Sequence, residues 1–223
     1  MNSFSLILII LSIIFLAQTN NCFKPIANLA VDEASRLNMT IYIESLCKFS
    51  KEFIQQQLKP IYDEIKEKIN IKFVTFALME DHLNEDDTIK FKCMHGPREC
   101  ELDLFQTCSL HVYRHNQTKQ AEIIFCTMKF HHNHMLCIDE LQLNLPEIEK
   151  CANGTLGVYL ALNSQREASA VVGTLGGVPA VIFNNIIDPV VAEHSLSDLK
   201  AVTKRRMYLY YSHFDNSSEI YTE

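Results

Sequence analysis

Two segments with alternating hydrophobic and polar residues flank a segment with helical spacing in the first third of the chain. Residues 38–45 (NMTIYIES) and 71–78 (IKFVTFAL) alternate as half-buried strands do. Between them, residues 50–68 place apolar side chains three and four positions apart, which predicts a helix that Pro60 kinks or divides. This order predicts a βαβ unit with two parallel strands.

The pattern changes after the second predicted strand. From residue 80 to about 153, alternation is sparse and cysteines are frequent, while residues 102–112 and 122–137 have helical spacing. This stretch is therefore predicted to be a helical insertion.

Regular patterns return in the last third of the chain. Residues 155–170 predict a helix, 180–183 (AVIF) a short strand, and 196–211 a closing helix. The mature chain, residues 22–223, is predicted to be a single α/β domain.

The N-terminus carries an uncharged apolar run, residues 4–17, that is short for a membrane span. It favours a secretory signal peptide, residues 1–21, with an uncleaved anchor as the alternative because no Lys or Arg precedes the run. After removal of the signal, we expect no membrane span.

Four N-x-S/T sites agree with secretion, because such asparagines are glycosylated only in secreted chains. They are Asn38, Asn116, Asn153 and Asn216. The formal net charge is -7, and Lys and Arg are scattered, so nucleic acid is not an expected partner. Proteins and small molecules are the more plausible binding partners for a chain with this charge.

Eight cysteines in an oxidising compartment predict structural disulfides. Six form one group, whose connectivity the sequence leaves open: Cys93, Cys100, Cys108, Cys126, Cys137 and Cys151. The segment 93–108 also carries His95 and could be interpreted as a zinc site, but its spacing and the compartment favour disulfides. We therefore expect no metal and no cofactor.

Cys47 lies at the end of the first predicted strand, immediately before the predicted helix. Backbone N–H groups and the helix dipole stabilise a thiolate at such a position, and Lys48 adds a positive charge. The combination is typical of a nucleophilic sulfur. The alternative is a Cys47 that is buried or held in a disulfide, for which Cys22 is one candidate partner.

The segment 93–108 (CMHGPRECELDLFQTC) resembles the signature of the gamma-interferon-inducible lysosomal thiol reductase (GILT) family, C-Q-H-G-x2-E-C-x2-N-x4-C. The spacing is intact, with Met94 in place of Gln and Asp103 in place of Asn. The strand before Cys47, the segment 150–154 (KCANG) and the segment 178–185 (VPAVIFNN) are also similar to family segments. The resemblance covers roughly residues 38–185.

This resemblance implies a thioredoxin-like fold with a disulfide-stapled helical insertion. It also implies reduction of protein disulfides at acidic pH in the lysosome. A trans Pro179 is the ordinary expectation, whereas the resemblance implies a cis proline beside the active cysteine that shapes the substrate groove. Family members have C-x-x-C, but this chain has Ser50 in place of the second cysteine.

A second thiol normally resolves the mixed disulfide, and Ser50 cannot, although its hydroxyl could hydrogen-bond to a Cys47 thiolate. One hypothesis is a thiol–disulfide oxidoreductase with Cys47, Ser50 and Pro179 as active-site residues. Its partners would be disulfide-containing proteins and a small thiol such as glutathione. The other is a catalytically inactive secreted protein that binds an extracellular protein or a cell surface. The expected location is extracellular or lysosomal.

Overall fold

The computed structural model describes residues 36–76, 80–83, 89–130 and 133–218, which belong to one compact unit, residues 33–223. The predicted signal peptide and Cys22 lie outside the described residues. Within these described ranges, no helix has the length and apolar character needed to cross a membrane.

A three-stranded sheet forms the centre of this unit. Its strands, in spatial order, are β2 (Ile69–Thr75), β1 (Leu37–Ile43) and β5 (Ala180–Phe183). Ile41 of β1 lies opposite Phe73 in the parallel β2 and opposite Val181 in the antiparallel β5. The predicted parallel pair and the predicted AVIF strand are both confirmed.

The central strand β1 is covered on both faces. Met39 and Ile41 pack in a core cluster that includes Met128 from the insertion, whereas Tyr42 packs on the other face with Ala168. Alternation in the sequence predicted a half-buried strand, but the helices bury both faces from Met39 onward.

The helix predicted between the two parallel strands consists of three pieces. They are α1 (Lys48–Phe53), a π-helical turn (Ile54–Leu58) and α2 (Lys59–Ile65). Pro60 lies in the first turn of α2, and Leu58 and Lys59 before it keep helical dihedral angles. The predicted disturbance of the helix at Pro60 therefore takes the form of the π-helical turn just before the proline, through which the helix continues.

The insertion begins with a two-stranded hairpin that the sequence pattern did not predict, followed by four helices. Its elements are β3 (Glu80–Leu83), β4 (Ile89–Lys92), α3 (Pro97–Val112), α4 (Gln117–Lys129), α5 (Met135–Leu141) and α6 (Leu145–Ala152). A single helix over 122–137 is wrong, because Phe130 leaves the helical conformation at φ -106° and ψ 40°. The Cys126–Cys137 disulfide links α4 to α5 across this break.

The C-terminal part also has one more helix than predicted. It consists of α7 (Thr155–Leu175), β5, α8 (Pro189–Ser197) and α9 (Leu199–Ser218). The predicted helix over 196–211 is divided at Asp198, whose carboxylate accepts the backbone N–H of Ala201. Asp188 caps α8 in the same way by accepting the N–H of Val191.

Candidate active site

Cys47 is the residue that caps the N-terminus of α1. Its Sγ accepts the backbone N–H of Ser50 at 3.5 Å and donates to the carbonyl oxygen of Val178 at 3.8 Å. Its exposed fraction is 8%, and it is the free cysteine of the described part of the chain. The predicted position between strand and helix is therefore confirmed. Cys47 is buried, as the alternative interpretation of this residue expected, but it is not held in a disulfide by any cysteine of the described residues.

Ser50 is completely buried one helical turn after Cys47. Its hydroxyl oxygen accepts the backbone N–H of Glu44 at 3.3 Å, which ties α1 to the end of β1. Its backbone N–H, as described above, is the group that donates to Cys47. The hydroxyl bond to a Cys47 thiolate remains a prediction.

Pro179 is buried and follows a cis peptide bond from Val178. Since the Val178 carbonyl oxygen contacts Cys47 Sγ, the turn before β5 forms one wall around the sulfur. The chain therefore brings together Cys47, Ser50 and the segment at Pro179.

A groove passes beside this wall. One cavity of about 300 Å³ is lined by side chains that include Phe49, Val178, Pro179 and Leu196, and its charged lining residue is Glu52. A second cavity of about 240 Å³ shares Pro179 and Leu196 with the first. Phe49 is 67% exposed, so the groove presents apolar surface next to the nucleophile.

A cluster of ionisable side chains lies at the other side of the Cys47 loop. The Nδ1 atom of His95 lies 2.6 Å from Glu99 Oε1 and 3.9 Å from Glu44 Oε2. The backbone N–H of His95 also donates to Glu99 Oε2 at 2.8 Å. Glu44 and Glu99 are both buried, whereas the His95 side chain is 43% exposed.

Burial and mutual repulsion change the acidity of this cluster. The pKa of Glu44 rises to about 7, first because burial disfavours its charged form and then because Glu99 lies nearby, while His95 opposes the rise. The hydrogen bond to Glu99 raises the pKa of His95. A proton is therefore held in this cluster under mildly acidic conditions.

Asp103 extends the cluster along α3. Its Oδ1 accepts the backbone N–H of Ser45 at 3.1 Å, two residues before Cys47. Burial raises the pKa of Asp103 well above its ordinary value, and Glu99 and Glu44 add to the effect, while the bonds with Ser45 oppose it. The spacing of His95, Glu99 and Asp103 by four residues is the sequence signal that could have revealed this cluster.

No metal is assigned to the site. The donor atoms of Glu44, His95 and Glu99 lie within 4.8 Å of one another, but the His95 and Glu99 groups already hydrogen-bond to each other. The zinc interpretation of the segment 93–108 is wrong, because its cysteine sulfurs are engaged in disulfides.

All six cysteines of the insertion are paired. The bonds are Cys93–Cys100, Cys108–Cys151 and Cys126–Cys137. Cys108–Cys151 joins α3 to α6 within a second hydrophobic cluster. The bonds therefore staple the helices of the insertion, while Cys47 is kept separate from them.

The four predicted glycosylation sites are distributed along the described part of the chain. Asn38 is exposed near the start of β1, Asn153 is exposed between α6 and α7, and Asn216 lies in the last helix. Asn116 is exposed and caps α4 by accepting the N–H of Lys119. Glycosylation of these asparagines stays a prediction.

Comparison with known proteins agrees with this geometry. The family profile described as "Gamma interferon inducible lysosomal thiol reductase (GILT)" matches residues 38–155. GILT-like protein 1 of Drosophila melanogaster is 28% identical over 183 residues, covering 74% of this chain and 73% of that protein. GILT-like protein 2 of the same organism is 29% identical over 158 residues, covering 69% and 72% respectively.

A solved structure shows the same fold. The crystal structure of Chlamydia trachomatis DsbA matches with a TM-score of 0.53 at 11% identity, over 78% of this chain and 89% of that one. The fold is thus thioredoxin-like, and the family profile supports a role of the thiol–disulfide oxidoreductase type. Because the family profile matches more than half of the sequence, the chain belongs to the GILT family.

Proposed function

We propose that this protein exchanges protein disulfides through Cys47 alone, with a small thiol in the place of a second active-site cysteine. The observation that carries the proposal is the free Cys47 sulfur, held between the N–H of Ser50 and the carbonyl of Val178. A sulfur at a helix N-terminus has the electrostatic support that a thiolate nucleophile needs.

The chemistry has three exchanges. The Cys47 thiolate attacks one sulfur of a substrate disulfide, forming a mixed disulfide and releasing the other substrate sulfur as a thiolate. The thiolate of a small thiol such as glutathione then attacks the substrate sulfur of that bond, which frees Cys47. A second molecule of the small thiol reduces the new mixed disulfide, so that two small thiols are oxidised for each substrate disulfide reduced.

The groove supports a polypeptide as the substrate. Phe49, Pro179 and Leu196 provide apolar walls near Cys47, a residue that is only 8% exposed. A flexible extended segment reaches such a sulfur more easily than a disulfide on a flat folded surface. Disulfides in unfolded proteins are therefore the expected substrates.

The site of action follows from the whole chain. The apolar N-terminal run and the four N-x-S/T sites support entry into the secretory route. The three disulfides fit an oxidising compartment. The protein is proposed to act in the lysosome or outside the cell, as a glycoprotein.

The test is reduction of a denatured disulfide protein with glutathione present, at mildly acidic and at neutral pH. Wild type, Cys47→Ala and Ser50→Cys are compared, and Ser197→Ala serves as a control for an exposed serine. The proposal expects turnover by wild type that Cys47→Ala loses. If wild type matches Cys47→Ala while Ser50→Cys gains activity, the scaffold is competent, the natural protein is no reductase, and binding of an extracellular partner becomes the function to pursue.

A further inference from the structure

Asp103 forms a direct connection between the insertion and the loop that carries the nucleophile. Its side chain has no exposed surface, and its Oδ1 accepts the backbone N–H of Ser45 at 3.1 Å. The hydroxyl of Ser45 donates to the carbonyl oxygen of Glu99, one turn earlier on α3, at 3.4 Å. Through these two bonds, α3 fixes Ser45, which lies two residues before Cys47.

The second oxygen of the Asp103 carboxyl has no hydrogen-bond partner among the described residues. The charged groups that act on it from the described part of the chain are Glu99, on its own helix, and Glu44, at the end of β1. His95, from the turn before α3, binds Glu99 and also faces Glu44. An ionised Asp103 would therefore be a buried charge with an unpartnered oxygen and two carboxyl neighbours, which is unfavourable.

We propose that Asp103 is a positioning residue for Cys47, holding the loop through Ser45 while its carboxyl is uncharged and releasing it when the carboxyl ionises. The catalytic consequence rests on the proposed function, since it concerns exchange at Cys47. The structural consequence does not, because a released loop exposes Cys47, a residue that is otherwise only 8% exposed.

Asparagine is the informative replacement for Asp103. It has nearly the same shape and keeps an oxygen that can accept the Ser45 N–H, but it cannot ionise. Asp103→Asn therefore keeps the loop bound at every pH. Asp139 is exposed on α5, so Asp139→Asn makes the same chemical change away from the site and is the matched control.

Two readouts distinguish release of the loop from a change in thiol acidity. The first is the rate at which iodoacetamide labels Cys47, and the second is glutathione-dependent turnover of a denatured disulfide protein. A change in thiol acidity changes the thiolate population available to both reactions. Release of the loop has opposite effects on the two readouts. Labelling becomes faster because the sulfur is exposed to the small reagent, whereas turnover becomes slower because the geometry that the protein substrate needs is disrupted.

At the acid end of a pH series, where Asp103 is uncharged, wild type, Asp103→Asn and Asp139→Asn are expected to agree within about twofold in both readouts. As the pH rises and Asp103 ionises, wild type and the control are expected to label on the order of tenfold faster than Asp103→Asn and to turn over on the order of tenfold more slowly. A ratio of Asp103→Asn to wild-type labelling that does not change with pH would overturn the proposal.

A second variant covers the case in which Asp103→Asn does not fold. Glu44→Gln removes a carboxylate that raises the pKa of Asp103, so Asp103 should ionise at a lower pH and the acceleration of labelling should move to a lower pH. An unmoved labelling profile contradicts the proposal. If labelling behaves as expected but no variant and no wild type turns over, the positioning by Asp103 stands and the proposed enzymatic function fails.

Discussion

The hydroxyl oxygen of Ser50 accepts the backbone N–H of Glu44 at 3.3 Å, in a position with no exposure to solvent. The residue that replaces a second active-site thiol thus stabilises the junction between β1 and α1. This relationship gives Ser50 a structural contribution that does not depend on any bond from its hydroxyl to Cys47.

Ser50→Ala should lower the free energy of unfolding by about 1–2 kcal/mol, because the buried N–H of Glu44 loses its acceptor. Urea unfolding monitored by circular dichroism measures the change. The control is Ser197→Ala, whose exposed hydroxyl donates to the His194 carbonyl and should contribute less than about 0.5 kcal/mol. Equal effects of the two substitutions would refute the structural role of Ser50.

The stability of the protein should fall as the pH rises from mildly acidic to neutral. Below about pH 4.5, Glu44 is uncharged in both the folded and the unfolded chain, so its contribution is fully present. Between that pH and about 7, the unfolded chain ionises while the folded chain keeps the proton, which lowers the free energy of unfolding. The raised pKa of His95 acts in the same direction.

Glu44→Gln should remove part of this pH dependence. Chemical unfolding at about pH 5 and about pH 8 gives the free energy of unfolding at each pH. Its decrease between the two pH values should be larger in wild type than in the variant by on the order of 2 kcal/mol. Parallel pH profiles for the two proteins would show that Glu44 titrates normally in the folded state.

The disulfides should differ in their effect on stability. Replacing Cys108 and Cys151 together by alanine should cost about 4 kcal/mol, because the bond closes a loop of 43 residues in the unfolded chain. Replacing Cys93 and Cys100 should cost only about 2 kcal/mol, because their separation is 7 residues. Urea unfolding of both double variants checks the order, and a larger loss for the shorter loop would contradict it.

The start of α7 should tolerate no side chain at Gly157. A Cβ atom there would lie 2.6 Å from the backbone oxygen of Cys151, so Gly157→Ala should destabilise the protein by about 1–3 kcal/mol. Gly173, in the same helix, has nothing within 4 Å of such a Cβ. Gly173→Ala should instead stabilise the helix by about 0.5–1 kcal/mol, and thermal unfolding of the two variants compares them.

A substitution in the groove should weaken the binding of protein substrates and have little effect on small disulfides. Leu196 is 40% exposed and lines both cavities beside Pro179. Leu196→Ser should raise KM for a denatured disulfide protein by on the order of threefold to tenfold, with little change for a small symmetric disulfide. Leu209→Ser, which removes an equally exposed leucine from α9, is the control, and an equal effect from it would exclude a specific groove.

The periodicity of apolar residues predicted the strands and helices whose positions depend on neighbouring residues. Strands β1 and β2 alternate strongly and flank a helix, so their parallel pairing follows from the order of the elements. The break at Phe130 was missed because the apolar spacing continues through it, while a disulfide between the two helices holds the chain in a turn. Asp198 carried a detectable capping signal that the apolar period concealed.

The sequence predicted the position of Cys47 but not the charged groups around it. The position of Cys47 could be predicted because the residues next to it in the sequence indicate a strand before it and a helix after it. The burial of Glu44 beside Glu99 depends on contacts between the loop after β1 and α3, which lie far apart in the sequence, and carboxylates are normally at the surface. The hydrogen bond between Asp103 and Ser45 also depends on a contact between residues far apart in the sequence, so local patterns could not predict it.

The segment at Val178, whose carbonyl oxygen contacts the Cys47 sulfur, is the last part of the site to be synthesised. Val178 lies 131 residues after Cys47, and all six paired cysteines lie between them. A chain that emerges from its N-terminus therefore presents Cys47 and the cysteines of the insertion before the segment that covers Cys47 has been synthesised. The order of residues along the chain therefore makes the Cys47 thiol a competitor in oxidative folding until the segment at Val178 packs against it.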